Sequence, residues 1–286
     1  MKLIITVLAL FFIWLQPAYA LDVREAKKFA GEYAQEAKIN EENKKNMWHI
    51  LTNLKVGAAN YKEEEQTVSS DYKAVYSEFL CAAVNQSNND IEKAIDFSFG
   101  QSTTDTETWY ISDIKYQTND LDFYRINLKG SIGKILYSDK YKNLQVVPFL
   151  GYGFRYINFK RADFNILDII TFREVVTEKY SIHHCDFGLK FNNALGDKWN
   201  IFGLGSFGYV FYNQADNSYL GKTDGAGGYL FDGNINLQYS LSDSWQFIFG
   251  GFFELQNLNG GQKSDVVWPD NKLNIYGGNI GIRLLF

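Results

Sequence analysis

The chain is poor in the features that define several common protein classes. Two cysteines and three histidines in 286 residues provide no disulfide framework and little material for metal or acid–base chemistry. The net charge of −5 leaves no basic excess to neutralise phosphates, so no nucleic-acid partner is predicted. After residue 20, no apolar run approaches the roughly 18 residues that a membrane-spanning helix needs. A helical membrane protein and a nucleic-acid-binding protein are therefore both excluded.

The first twenty residues have the three parts of a secretory signal peptide. Lys2 supplies a positive start, and Leu3–Leu15 is an almost unbroken apolar stretch. Ala18 and Ala20 then place small residues at positions −3 and −1 of a cleavage site. We predict residues 1–20 to be a cleaved signal peptide that directs the mature chain out of the cytoplasm.

Residues 21–90 differ in composition from the rest of the chain. Only two of the 24 glycines precede residue 90. Apolar residues in this part recur at helical spacing, most clearly in the group Tyr72, Val75, Tyr76, Phe79, Leu80 and Ala83. The pattern predicts a helical periplasmic extension over 21–90. Two strands at 48–60 and 72–84 are the competing interpretation, because some apolar residues there also alternate.

From residue 93 to the end of the chain, apolar residues alternate with polar or small ones. Ile95, Phe97 and Phe99 begin this pattern, and the last strand carries it to Phe286. A period of two is typical of β-strands with one apolar face. Residues 91–286 are therefore predicted to form an antiparallel β-barrel of eight strands, or of ten if 48–84 joins the sheet.

The connections between the predicted strands alternate in length. Short turns are predicted at 138–143, 193–197 and 241–244, and long loops at 161–176, 213–225 and 258–271. Short turns at one rim and long loops at the other are typical of a transmembrane β-barrel whose long side faces outward. We expect a surface ligand to bind at the long loops.

The composition of the two strand faces favours a membrane barrel over a water-soluble one. Aromatic residues make up 17% of the chain, and several lie on the apolar face near predicted strand ends: Trp199, Phe211, Tyr229, Tyr239, Trp245 and Tyr276. Such positions are typical of the aromatic girdles at membrane interfaces. The opposite face is rich in Gly, Asn, Ser and Gln, which suits the interior of a narrow barrel.

The last strand, Tyr276-x-x-x-Ile280-x-Ile282-x-Leu284-x-Phe286, resembles the insertion signal of Gram-negative outer-membrane proteins. The resemblance implies location in the bacterial outer membrane and recognition of Phe286 by the barrel-assembly machinery. It also implies contact with outer-membrane lipid and lipopolysaccharide. Residues 93–160 and the last strand, under half of the mature chain, further resemble omptin-like barrels. The stretches that carry this likeness are Ile95–Gly100, Ser112–Tyr116 and Leu144–Phe159.

The omptin resemblance implies an endopeptidase in which an acidic pair faces an Asp-His dyad at the outer rim. His184 and Asp186 are the candidates for that dyad, since residues two apart on a strand share a face. Their order is reversed from the family's Asp-x-His, and acidic partners would come from Asp163 and Asp168. The alternative is that both belong to a network of paired charges inside the barrel, with Arg125, Lys129, Arg155, Lys190, Asp232, Glu254 and Arg283.

A lipid A-modifying hydrolase is a second enzymatic hypothesis. It would need a Ser-His pair at the lipid-facing surface, and Ser181 and His183 share the apolar face. The alternative is that His183 belongs to an aromatic rim. The sequence contains no HExxH, CxxC or GxSxG motif, and no cofactor or metal site is predicted.

The predicted function follows by elimination. A barrel of eight to ten strands is filled by its own side chains, which argues against a general porin. We therefore expect an outer-membrane β-barrel with a structural or surface-interaction role and no identifiable active site. An omptin-like endopeptidase or a lipid A-modifying hydrolase is the alternative.

Overall fold

The computed structural model describes residues 47–87, 89–139, 144–225, 227–263 and 266–286. The predicted signal peptide and the first part of the predicted extension lie outside the described residues. All regular elements within these ranges are β-strands. In this part of the chain, no helix is long and apolar enough to cross a membrane.

The strands are unusually long. In chain order they are β1 (Met47–Glu65), β2 (Val68–Gln86), β3 (Ile91–Ser102), β4 (Asp105–Ile111), β5 (Ile114–Lys134), β6 (Tyr137–Asp139), β7 (Leu144–Ile166), β8 (Ile170–Phe172), β9 (Val176–Ala194), β10 (Trp199–Asn217), β11 (Gly221–Gly225), β12 (Gly228–Ser240), β13 (Trp245–Leu258), β14 (Gly261–Lys263), β15 (Val266–Trp268) and β16 (Asp270–Leu285). Ten of them have 12 or more residues. A tilted strand needs about 9–11 residues to cross a bilayer, so each of the ten is long enough.

The ten long strands close into one antiparallel barrel. Each pairs with the next in the order β1, β2, β3, β5, β7, β9, β10, β12, β13, β16. The last strand then pairs with the first, from His49↔Leu285 to Glu64↔Asp270. β4 pairs with β2 and β5 and thus occupies the same place in the barrel wall as β3, further along the barrel axis. In the same way, β11 pairs with β10 in line with β12. Closure leaves no long sheet edge unpaired.

The helical interpretation of the N-terminal region is wrong for residues 47–86. They form β1 and β2, so the barrel has ten strands instead of eight, and no boundary between domains lies near residue 90. The cause is visible in β2. Tyr72 and Tyr76 point into the barrel, while Val75 and Phe79 point outward. Because both faces carry apolar side chains, two strand patterns interleave and imitate the spacing of a helix.

The barrel is apolar outside, and its interior contains buried charged side chains together with apolar ones. Large apolar side chains are exposed around it, among them Leu150 (67%), Ile235 (60%) and Phe253 (50%). Five of the six aromatic residues predicted for the girdles are among them, namely Trp199, Phe211, Tyr229, Trp245 and Tyr276, and Tyr239 packs on Trp199 with ring centroids 4.8 Å apart. Buried arginine, glutamate and histidine side chains lie in the interior. This is the reverse of a water-soluble protein and is the arrangement of a barrel surrounded by lipid.

The two rims of the barrel differ. Both ends of the barrel chain lie at one of them, where the Phe286 amide donates to the Trp48 carbonyl at 2.8 Å. We call this end the terminal rim and the opposite end the distal rim. The short turns predicted at 193–197 and 241–244 are at the terminal rim and are confirmed, because β9, β10, β12 and β13 end or begin beside them.

At the distal rim, the prediction of long loops is wrong. Most of 161–176, 213–225 and 258–271 is strand, because β7 runs to Ile166 and the β10–β11 ladder continues to Asn217↔Gly221. The connections are tight: Ser112 and Asp113 form a two-residue turn in which both have positive φ, 48° and 66°. The sequence there resembles loops because the outward face becomes polar, whereas the hydrogen-bonded ladder and the inward packing continue.

Candidate functional site

The two residues of the predicted dyad are in contact. His184 and Asp186 point inward from β9, and His184 Nδ1 lies 3.0 Å from Asp186 Oδ1. Both side chains are buried, with 4% and 2% of their surface exposed. Gly153 on β7 makes room for the imidazole, since an added Cβ there would lie 2.2 Å from His184 Cε1. The strand alternation thus predicted a real contact, and a glycine that was not predicted permits it.

Asp186 also holds a second cation. The Lys129 ammonium on β5 lies 2.8 Å from Asp186 Oδ2, so one buried carboxylate is shared between an imidazole and an ammonium group. Asp186 is therefore already committed to two partners from two strands. This arrangement is what a paired-charge network requires.

We call the zone of exposed apolar side chains on the outer face, which includes Leu150, Ile235 and Phe253, the apolar belt. The predicted network extends across the lumen at the level of this belt. Arg125, 1% exposed, contacts Glu254 at 2.7 Å and also Glu78. Lys55 bridges the same two carboxylates at 2.8 and 2.9 Å. Arg155 lies 3.7 Å from Glu254 and 3.9 Å from Asp232. We call these residues the charged layer.

Two members of the charged layer were missed in the sequence. Lys55 and Glu78 lie on β1 and β2, and the helical interpretation of this region assigned them no lumen position. A usable signal was present, because the alternation on β1 and β2 places both on the inward face of a strand. It becomes visible only once these segments are recognised as strands.

The acidic partners proposed for the dyad are far from it. Gly153 is the cross-strand neighbour of His184, and Asp163 lies ten residues further along the same strand. At about 3.3 Å per residue, this separation is roughly 33 Å. Asp168 lies in the distal turn and pairs with Lys115 at 3.4 Å. The structure does not bring Asp163 and Asp168 to the His184–Asp186 contact.

Ser181 and His183 face outward on β9, as predicted. The His183 Nδ1 lies 2.6 Å from the Tyr152 hydroxyl, so this ring nitrogen is paired with a tyrosine instead of with Ser181. Four aromatic rings surround it, those of Tyr152, Phe154, Phe211 and Tyr212. The geometry is that of an aromatic cluster on the outer surface.

A second buried ionic cluster, unforeseen in the sequence, lies near the distal rim. The Arg161 guanidinium on β7 contacts Glu63 at 2.6 Å, Glu107 at 2.7 Å and Glu178 at 2.7 Å. Tyr61 donates to Glu63 at 2.5 Å. We call Arg161 and its three carboxylates the distal cluster. It was missed because Glu63 lay in the predicted helix and Arg161 in a predicted loop.

The distal cluster lies beyond the apolar belt. Lys62 and Glu64, which flank Glu63 on the outward face of β1, are charged and exposed. Burial raises the pKa of Glu63 to about 7, with Arg161 opposing this rise and the other two carboxylates adding to it. Burial also acts to raise the pKa of Glu107, but Arg161 outweighs it, and that pKa is lowered. Three carboxylates around one guanidinium therefore compete for its charge.

Between the distal cluster and the charged layer, the lumen is filled with apolar side chains. Tyr61, Tyr76, Phe123 and Phe159 have at most 1% of their surface exposed, and Phe123 and Phe159 pack with centroids 5.3 Å apart. We call this part the aromatic plug. In the described residues, no group of three His, Cys, Asp or Glu side chains is placed to hold a metal ion.

The fold is shared with solved structures. The outer membrane protease OmpT from Escherichia coli matches with a TM-score of 0.68 and 8% identity, over 85% of this chain and 98% of that one. The fold is that of a Gram-negative outer-membrane β-barrel. The translocator domain of the autotransporter NalP from Neisseria meningitidis matches with a TM-score of 0.40 and 12% identity, over 91% of this chain and 95% of its own. No family model and no curated protein matches.

The likeness to OmpT confirms the predicted resemblance to omptin-like barrels at the level of the fold. At 8% identity it transfers neither the activity of OmpT nor the roles of its residues. The function must therefore be argued from the side chains of this barrel.

Proposed function

We propose that the protein is an outer-membrane barrel with a structural or surface-interaction role, and that exposed apolar residues at the distal rim form its contact surface. The signal peptide would direct export, and the barrel-assembly machinery would recognise the last strand and Phe286. Phospholipid and lipopolysaccharide would surround the apolar belt. The observation that carries the proposal is the chemistry of the distal turns.

The distal turns expose large apolar side chains to the outside. The exposed fractions are 70% for Ile114, 59% for Leu167, 81% for Ile169, 44% for Phe172 and 53% for Leu220. We call these five residues the distal tips. Three of them, Leu167, Ile169 and Phe172, lie within six residues of one hairpin, and an exposed apolar patch of this kind is characteristic of sites that contact another molecule.

The turns that carry the distal tips are held together. The Leu167 amide donates to the Tyr116 carbonyl at 2.9 Å, which joins the β7–β8 turn to the start of β5. The Tyr219 hydroxyl donates to Glu174 at 2.8 Å, which joins the β10–β11 turn to the segment before β9. Hydrogen bonds to neighbouring segments therefore support the turns that carry Leu167 and Leu220.

Lipid contact does not account for the distal tips. On the outward face of β5, Asp120 and Asp122 lie between Ile126 in the apolar belt and Ile114 at the tip. Charged side chains on the lipid-facing surface are costly within the bilayer, so this interval marks the end of the belt. The tips lie beyond it, on the side that faces out of the cell in barrels of this kind.

The filled lumen supports a role other than transport. A molecule crossing the barrel would have to displace both the aromatic plug and the paired side chains of the charged layer. The protein reconstituted in planar lipid bilayers should give no stepwise conductance. Regular steps in the purified wild-type protein would contradict the filled-lumen interpretation.

The surface role is tested with a triple variant at the tips. Ile169→Ser, Phe172→Ser and Leu220→Ser together should reduce adherence of cells displaying the protein to immobilised matrix and to eukaryotic cells. The matched control is Leu195→Ser with Leu241→Ser, which changes apolar residues of 57% and 63% exposure at the terminal rim. Heat-dependent gel mobility would verify that both variants fold. Equal adherence of wild type and tip variant would refute the proposal.

The enzymatic alternatives remain testable with the residues already named. If the barrel is an endopeptidase or a lipid A hydrolase that uses the dyad, His184→Ala and Asp186→Ala would each abolish turnover by the refolded protein. We expect no dyad-dependent turnover, because both side chains are buried in the lumen and Asp186 also binds Lys129. Loss of a measurable activity in both variants, with the barrel still folded, would favour the enzyme.

A further inference from the structure

A cavity with both apolar and polar side chains in its wall lies inside the barrel at the terminal rim. Its volume is about 290 Å³, and its lining includes Met47 and Leu285 at the two ends of the barrel chain. Among the polar side chains of its wall are five from five different strands: His49, Asn192, Gln238, Gln246 and Arg283. We call it the terminal cavity. Neither the surface role nor the predicted dyad uses it.

Arg283 differs from the other lumen arginines. Arg125, Arg155 and Arg161 each have a carboxylate within 4.0 Å. Among the described residues, no carboxylate lies within that distance of Arg283. It donates instead to Gln238 Oε1 at 3.2 Å and lies over the Phe202 ring at 5.5 Å. Its Nε is buried without a hydrogen-bond partner. A guanidinium in this setting lacks the counter-charge that buried cations normally have.

The neighbouring polar atoms are also unsatisfied. Gln238 Nε2 and His49 Nδ1 have no hydrogen-bond partner among the described residues, although these side chains are only 1% and 6% exposed. Asn192 Oδ1 and Gln246 Oε1 are in the same condition. Buried polar atoms are rarely left unpaired, so several around one cavity indicate that something else completes their hydrogen bonds.

In the described part of the chain, the acidic side chains of the wall form no ion pair with Arg283 within 4.0 Å. Glu92 is paired with Lys190 at 2.7 Å, so these two cancel each other. Asp96 lines the deep part of the cavity, towards the charged layer, and forms no ion pair with Arg283. The Arg283 guanidinium therefore has no carboxylate in direct contact among the described residues, and amide and imidazole groups lie beside it.

We propose that the terminal cavity binds a small oxyanion, a carboxylate or phosphate group that enters from the terminal rim. The Arg283 guanidinium supplies the charge and a planar set of N–H donors, which suits both kinds of group. Gln238 and His49 supply further donors. Asn192 and Gln246 can turn their amides to donate or to accept, according to the rest of the ligand.

The test is a titration of the purified mature protein in detergent micelles with inorganic phosphate and, separately, with acetate, by isothermal calorimetry in chloride buffer. Saturable binding is expected for at least one probe, and the stronger one identifies the kind of anion. Arg283→Gln should weaken it by at least about tenfold, since it removes the charge partner. Arg173→Gln, which removes the same charge from an exposed distal position, should leave it unchanged.

Thermal unfolding separates a binding role from a structural one. Without added anion, Arg283→Gln should unfold at the wild-type temperature or above, because the variant no longer holds a partly buried charge in the lumen without a carboxylate partner. Added phosphate or acetate should raise the unfolding temperature of the wild type and leave that of the variant unchanged. If Arg283→Gln unfolds at a lower temperature than the wild type, and the difference is the same with and without the anion, Arg283 has only a structural role and the proposal is overturned.

Two further variants cover the case in which Arg283→Gln does not fold. Arg283→Lys keeps the charge and should retain weaker binding, whereas Gln238→Leu removes an amide donor and should weaken binding severalfold. Absence of saturable binding of both probes to the wild type, or binding unaffected by both further variants, would overturn the proposal.

Discussion

The distal cluster makes the stability of the barrel depend on pH in a predictable direction. Glu63 has 3% of its surface exposed and shares the Arg161 guanidinium with two other carboxylates. Its pKa of about 7 lies above the ordinary value of 4.5, so the folded barrel holds a proton that the unfolded chain has lost. The Glu63 contribution to stability is full below pH 4.5 and is lost as pH rises through 7.

The size of the effect follows from the same two values. At about 1.4 kcal/mol per pH unit, moving a pKa from 4.5 to about 7 corresponds to roughly 3 kcal/mol. Glu63→Gln cannot lose a proton and still accepts hydrogen bonds from Tyr61 and Arg161. The variant should therefore resemble the wild type at pH 5 and exceed its free energy of unfolding by up to roughly 3 kcal/mol at pH 8.

Urea unfolding in phospholipid vesicles, followed by tryptophan fluorescence, measures this difference at several pH values. Glu64→Gln is the matched control, since Glu64 is adjacent but faces outward, where it pairs with Lys62 and Lys272. Those lysines lower its pKa to about 2, so it does not titrate between pH 5 and 8. Glu107 has a lowered pKa as well, and its contribution is lost only at more acidic pH. A wild-type-to-variant difference that is constant with pH, or a Glu63→Gln protein less stable at pH 8, would refute the reasoning.

Three further predictions concern the lumen and the last strand. Gly153→Ala places a Cβ against the His184 ring and should lower the free energy of unfolding by about 1–3 kcal/mol in the same assay. The double variant Gly153→Ala/His184→Ala should recover stability, and full stability of the single variant would contradict the close packing. Arg125→Leu leaves Lys55 as the cation at 2.8 and 2.9 Å from Glu78 and Glu254, and should lower the free energy of unfolding by about 3–5 kcal/mol. Adding Glu254→Gln should restore part of this loss, and an unchanged stability of Arg125→Leu would mean that the pairing is not needed. Deletion of Phe286 should lower assembly into the outer membrane of cells while refolding in detergent continues, as judged by heat-dependent gel mobility; normal assembly would count against recognition of this residue.

Apolar alternation in the sequence was sufficient to predict the β-barrel between residues 93 and 286. On those strands the outward face is apolar and the inward face mostly polar or small, so the period of two is clear. The same alternation placed His184 and Asp186 together inside the barrel and His183 outside, and the structure has both arrangements. These features are local, because odd and even positions along one strand define its two faces.

Strand number and rim architecture required the tertiary structure. Tyr72 and Tyr76 point into the aromatic plug, so β2 is apolar on both faces and its local pattern cannot distinguish a strand from a helix. Near the distal rim, 161–176, 213–225 and 258–271 carry polar outward-facing residues, so these strand segments resemble loops in the sequence.

The ionic contacts also depend on closure of the barrel. Arg161 meets Glu63 across 98 positions of sequence, and Lys55 meets Glu254 across 199. The sequence by itself determined a membrane barrel with the His184–Asp186 contact, since period and spacing are properties of neighbouring residues. Only the tertiary structure decided which distant charges are paired and that Arg283 is left without a carboxylate, because these depend on which strands closure brings together.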